Sequence, residues 1–170
     1  MVFARTAKKD GKGIIKRKYG GSNMCTNYSI VCKCGKHDVN FMFKNDLIPP
    51  EVVEAVYCPD CSGGVSTDSR SMLKDNNWLI KYDMEVAHLY DNKLPDSDAR
   101  NLSPEILFDK GYATWRGIYP GDHIDNVRER EELAKMAKID PKKYFQEIKS
   151  WAVNRMARLK EEGWRKAYDG

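Results

Sequence analysis

The residues with the most specific chemistry in this 170-residue chain are its five cysteines. Cys32 and Cys34 stand in Cys-Lys-Cys-Gly, and Cys58 and Cys61 stand in Cys-Pro-Asp-Cys-Ser-Gly-Gly. Twenty-three residues separate the two pairs. Four soft thiolates in two close pairs suit a tetrahedral S4 site, the preferred geometry of structural zinc. In the second pair, Pro59 fixes the turn. Gly63 and Gly64 let the chain curl so that backbone N–H groups point at sulfur. The one-residue gap of the first pair makes a tighter bite. Four thiolates leave no position open for water or substrate, so the expected role of Cys32, Cys34, Cys58 and Cys61 is structural.

Other chemistries stay open at this level. Two disulfides are not expected without a secretory signal. A redox dithiol is allowed, because Cys-x-x-Cys can lower one thiol pKa. That motif normally sits between a strand and a helix, whereas Ser62, Gly63 and Gly64 follow it here. Iron is chemically compatible with four sulfurs, which keeps a cysteine-based redox enzyme or iron electron carrier as the alternative to a zinc protein. Cys25 is left over. It is expected to be a small buried residue, or a substitute ligand if Cys32 and Cys34 supply only one sulfur. His37, three residues past Cys34, is a weaker candidate ligand and otherwise a surface turn residue.

The elements that must position these cysteines are strands. Residues 27–31 and 38–43 are β-rich, and the second run alternates Val39, Phe41 and Phe43 on one face. A hairpin with Cys32 and Cys34 at its tip follows. Residues 52–57 lead into the second pair as a strand or a short helical turn. On these cysteines, residues 27–64 resemble a zinc ribbon, in which two cysteine knuckles on β-hairpins clamp one zinc ion. The Cys-x-Cys first knuckle departs from that family. The resemblance implies binding to DNA, RNA or protein, or a purely structural role, and does not choose among them.

Beyond Gly64 the chain reads as mainly helical. Residues 65–71 form a polar linker, and Asp75-Asn76-Asn77 offers N-cap chemistry. Residues 78–90 alternate like a strand at Ile80, Tyr82, Met84 and Val86, but length and composition predict a helix. Ser103-Pro104 starts a short helix. Residues 111–123 are a Gly-, Pro- and aromatic-rich loop. Tyr112, Trp115, Arg116, Tyr119, Asp122 and His123 could line a pocket there, or the aromatics could pack beneath the loop. A charged helix is expected over 125–138. Asp140 and Pro141 open the longest helix, to about residue 167, with a stripe of Tyr144, Ile148, Trp151, Arg155 or Met156, and Leu159. Phe145, Ala152 and Trp164 widen it. Such a helix is expected to bury one face in its own domain or against a second copy, and its length points to a homodimer contact.

The expected fold class is α+β: a zinc-ribbon-like module over 25–66 and a mainly helical domain over 67–170, preceded by a basic arm over 1–24. The chain has 29 basic and 25 acidic residues, for a net charge of +4. Arg5, Lys8, Lys9, Lys12, Lys16, Arg17 and Lys18 stand against the single acid Asp10 in that arm, so the rest of the chain is slightly acidic. The arm is a candidate for binding nucleic-acid phosphates, or simply a solvated terminus. A dedicated nucleic-acid-binding fold normally carries a broader basic face, so a protein partner or self-association ranks first. No apolar run reaches the ~20 residues of a membrane span, and no signal-peptide pattern opens the chain. A cytoplasmic location is therefore expected. Phosphate-loop, dinucleotide, nucleophile-elbow and His-Glu-x-x-His motifs are absent, and His37, His88 and His123 are scattered. The expected protein is a non-enzymatic zinc binder.

Overall fold

The structure, a computed structural model, describes residues 15–18, 25–117 and 122–165, with side chains over 26–117 and 129–165. Arg5, Lys8, Lys9 and Lys12 of the basic arm lie outside these residues, as do Tyr119 and the side chains of Asp122 and His123. The architecture is mixed α+β, with two small antiparallel sheets and a long helical pair. No helix among the described residues is long and apolar enough to cross a membrane.

The first sheet has the order β1 (Ile15–Lys18), β2 (Cys25–Val31), β3 (Asp38–Lys44), β7 (Thr114–Trp115). β1 begins at Ile15, and Lys16, Arg17 and Lys18 pair with Ser29, Tyr28 and Asn27. β2 and β3 form the predicted hairpin, with Ile30 opposite Val39 and Tyr28 opposite Phe41. The period-two pattern of β3 is realised: Val39, Phe41 and Phe43 are buried and the residues between them are not.

The second sheet has the order β4 (Val53–Tyr57), β6 (Trp78–Tyr82), β5 (Met72–Asp75). The helix expected over 78–90 does not form. Asn76 and Asn77 instead make a two-residue hairpin turn, both at positive φ (40° and 67°), as the primed turns of tight hairpins require. β6 then runs between two partners, which satisfies its backbone on both edges. Leu79, Ile80 and Tyr82 are buried there. Pairing on both sides outweighs the local helical preference. Helix resumes only at α2 (Met84–His88), capped by Asp83, whose carboxylate accepts from the Val86 N–H at 3.1 Å.

Between the sheets lies one hydrophobic core. It draws Phe41 and Phe43 from the first sheet, Val56 and Ile80 from the second, and Leu107 and Phe108 from α4 (Pro104–Asp109). Ser103 caps α4 as expected, accepting from the Ile106 N–H at 3.3 Å. Trp115 is at the centre. Its ring lies 4.8 Å from Phe41 and 6.0 Å from Phe108, both edge-on. The first part of the aromatic loop therefore packs inward and does not line a pocket. Tyr112 is buried too, and its hydroxyl donates to Asp98 at 2.6 Å from α3 (Asp96–Arg100).

α5 (Asp122–Ile139) and α6 (Pro141–Glu161) form an antiparallel hairpin turned at Asp140. Asp140 caps α6 by accepting from the Lys143 N–H at 3.0 Å. Tyr144, Ile148, Trp151, Arg155 and Leu159 form the inward stripe, as their spacing predicts. Trp151 donates to Glu129 at 2.5 Å across the pair. The helix stops at Glu161, six residues short of the expected end, so Trp164 is not part of the stripe. The reason is Gly163 at φ 82°: its N–H reaches Lys160 O, and the Trp164 N–H reaches Leu159 O. This glycine-centred cap satisfies the last carbonyls and turns the chain back.

That turn carries Arg165 to the core. Its backbone N–H donates to Asp75 at 2.8 Å, while the other Asp75 oxygen accepts from the Trp115 indole at 2.8 Å. The Arg165 guanidinium pairs with Asp109 at 2.6 Å. Asp75 is only 1% exposed, and burial raises its pKa above 3.8 despite these donors. Folding thus favours its protonated form. Its contribution to stability is fully present below the unfolded value near 3.8 and is lost as pH rises through the raised folded value. Asp75→Asn removes that titration. The stability difference, wild type minus variant, is expected to grow as pH falls through this window, measured by paired urea unfolding.

Candidate metal centre

The hairpin tip between β2 and β3 meets the end of β4, and the four paired cysteines converge there. Val31 ends β2, and the Cys32 N–H closes the tip by donating to His37 O at 2.8 Å. Gly35 takes φ 74° within it, the position where a glycine is needed for the tight turn. On the other side, Cys58 precedes a single helical turn, α1 (Pro59–Ser62), with Pro59 at its first position. The chain does curl after Cys58, but Gly63 does so at an ordinary φ of −63°. The curl comes from the helical turn and not from glycine freedom.

Two bonds lock the knuckles together. The Lys33 N–H donates to Val56 O at 2.9 Å, and the Cys58 N–H donates to Cys32 Sγ at 3.1 Å. The sulfurs form a closed circuit: Cys32 to Cys61 at 3.4 Å, Cys61 to Cys58 at 3.6 Å, Cys58 to Cys34 at 3.6 Å and Cys34 to Cys32 at 3.5 Å. All four lie within 4.8 Å of one another. A zinc ion with bonds of about 2.3 Å to four tetrahedral sulfurs sets them about 3.8 Å apart, close to these spacings. A disulfide would need about 2.05 Å, so no pair is bridged.

Charge control at the sulfurs is uneven. Cys32 and Cys58 are buried. Burial pushes the Cys32 thiol up to about 12, with backbone N–H groups of Cys34 and Cys58 opposing it. Burial likewise raises Cys58. At Cys34 the Lys36 backbone N–H dominates and draws the thiol down to about 7. Backbone amides thus point at sulfur from both knuckles, which is how such turns stabilise thiolates.

Of the two further candidates, Cys25 does not join the four, whereas His37 forms a second, overlapping group with Cys58 and Asp60 whose ligand atoms lie within 4.8 Å of one another. Cys25 begins β2 opposite Lys44, at the far end of the strand from the tip. Seven residues of extended chain put its backbone about 20 Å from that of Cys32, beyond the reach of a substitute ligand. His37 stands at the rim. Its Nε2 lies 3.6 Å from Asp60, and its ring meets Trp78 edge-on at 6.2 Å. Asp60 and Trp78 are the neighbours that sequence reading passed over. Asp60 sits between the second pair of cysteines, a position that signals its presence but not its partner.

Such a cluster can hold a metal ion with sulfur ligands alone and offers no open coordination position. Protein-family models, curated proteins and solved structures were compared with the chain, and none matches. The class these observations define is a mixed α+β protein with a four-cysteine cluster of metal-binding dimensions.

Proposed function

We propose that this is a non-enzymatic zinc protein, in which Cys32, Cys34, Cys58 and Cys61 hold one structural Zn²⁺ and the helical pair serves protein interaction or assembly. The observation that carries the metal reading is the sulfur circuit, with edges of 3.4 to 3.6 Å. When bound, the ion cross-links the β2–β3 tip to the end of β4. Zinc is preferred over iron as the default for a closed S4 site in a zinc-ribbon-like setting. A cytoplasmic location belongs to the same reading, since reduced thiols are kept there.

Elemental analysis of the purified protein tests it. One molar equivalent of zinc, with the four thiols unreactive until a chelator is added, is the expected result. Visible colour with iron would favour the electron-carrier alternative. Metal-free protein with a reversible Cys58–Cys61 disulfide would favour the dithiol alternative.

A further inference from the structure

The helical pair has two unlike sides. At 3.6 residues per turn, Phe145, Lys149, Ala152 and Met156 fall within an arc of about 60° on α6, next to its inward stripe. On α5, Arg130, Ala134, Ala137 and Lys138 fall beside the inward-facing Leu133. Right-handed helices packed antiparallel bring these two arcs onto the same side of the pair. The opposite side carries Glu129, Glu132 and Glu147, and there Glu129 meets Trp151 and Arg158 across the pair.

The first side is a furrow with an apolar floor. Phe145 is 63% exposed and Met156 38% exposed, and Ala152 and Ala134 are exposed as well. Alanines on the floor let another backbone approach to the 8–10 Å of ordinary helix packing. Basic groups predominate at its rim: Arg130 and Lys138 from α5, and Lys142, Lys149 and Lys160 from α6, all exposed, against one exposed acid, Glu131, about 20° from Lys138 at the outer edge of α5. An excess of positive charge around a narrow apolar strip calls for a ligand with an apolar stripe flanked by carboxylates. Phe145, Met156 and, at the edge, Val153 are too few large apolar side chains for insertion into a bilayer.

We infer that this furrow docks an acidic amphipathic helix of a partner protein, which would complete a three-helix bundle with α5 and α6. The inference rests on the reading of the helical pair as an interaction surface. It does not depend on the metal, since the furrow lies on the helical pair and not among the cysteines. Anchors at i, i+3, i+4 and i+7 on the incoming helix would meet Phe145, Ala152 and Met156. Its glutamates would meet the lysine rim.

The test uses the full chain and a synthetic peptide of about twenty residues, with leucines at helical spacing and glutamates elsewhere. A scrambled peptide of the same composition is the control. Fluorescence anisotropy is expected to show saturable binding of the amphipathic peptide only. Phe145→Glu and Lys149→Glu should each weaken it about tenfold or more. Lys143→Glu, on the other side of α6, should change it less than twofold. Zinc content and circular dichroism of each variant separate a failed surface from a failed fold or a failed metal site. Equal binding of the scrambled peptide, or equal loss with Lys143→Glu, overturns the proposal. So does binding to phosphatidylserine vesicles without binding to the peptide. A dimer by light scattering that Phe145→Glu dissociates would assign the furrow to a second copy, and overturns it as well.

Discussion

Cys58→Ser is expected to abolish stoichiometric zinc binding and to cost about 3–5 kcal/mol of stability, read as a lowered urea midpoint and by elemental analysis. The physical case starts from position. Cys58 is fully buried, its N–H donates to Cys32 Sγ, and its own sulfur lies 3.6 Å from both Cys34 and Cys61. It is the corner through which the β2–β3 tip and β4 are joined. A serine there replaces a soft thiolate by a hard, weakly acidic hydroxyl, and three remaining sulfurs bind zinc far less tightly. Structural zinc sites contribute about 10–16 kcal/mol of apparent binding free energy in small peptides, and binding free energy of this kind is folding free energy. Much of this chain has its own core, so the loss should fall short of complete unfolding. Cys25→Ser supplies the contrast. It should leave zinc at one equivalent, because Cys25 stands at the opposite end of β2. A zinc content equal to wild type in Cys58→Ser would remove the site as drawn.

Trp115→Ala is the second large effect. Its indole is fully buried, packed against Phe41, Phe108 and Trp78, with Nε1 donating to Asp75. Deleting a buried tryptophan costs about 3–5 kcal/mol through lost burial and the cavity left behind. At about 2–4 °C per kcal/mol for a chain of this size, the melting midpoint should fall by about 10 °C or more. The loss also strips one of the donors from a buried carboxylate. Trp115→Phe fills most of the space but lacks the indole N–H, so its smaller deficit isolates the hydrogen bond. Zinc stoichiometry should survive both changes, which distinguishes core damage from damage to the cysteine cluster.

Much of the candidate site was legible in the sequence, because its signals are local. The β2–β3 hairpin shows in the alternation of Val39, Phe41 and Phe43, and its tip in Cys-Lys-Cys-Gly. The caps at Ser103 and Asp140 are equally local, since each side chain bonds an N–H three residues on. Errors came where distant partners decide. The run from Trp78 holds both periodicities, and only pairing with β4 and β5 on either side makes Trp78–Tyr82 a strand. β7 is two residues long and carries no pattern at all. It is defined by Phe41 and Met42 across the sheet. Trp164 fits the α6 stripe in spacing, yet Gly163 ends the helix first. Asp75 reads as a cap in the sequence and is instead a buried acceptor for groups 40 and 90 residues away.

The Asp75 contacts also set a timetable for synthesis. The strand bearing Asp75 emerges from the ribosome early, and its partners Trp115 and Arg165 arrive 40 and 90 residues later. At about 5–20 residues per second, the carboxylate waits several seconds for the second of them. Until then the second sheet holds an acid whose natural resting place is water. A nascent chain paused before residue 165 should therefore remain loose around β5, even though all four paired cysteines are already exposed to metal. On the zinc reading, metal loading would then precede closure of the core.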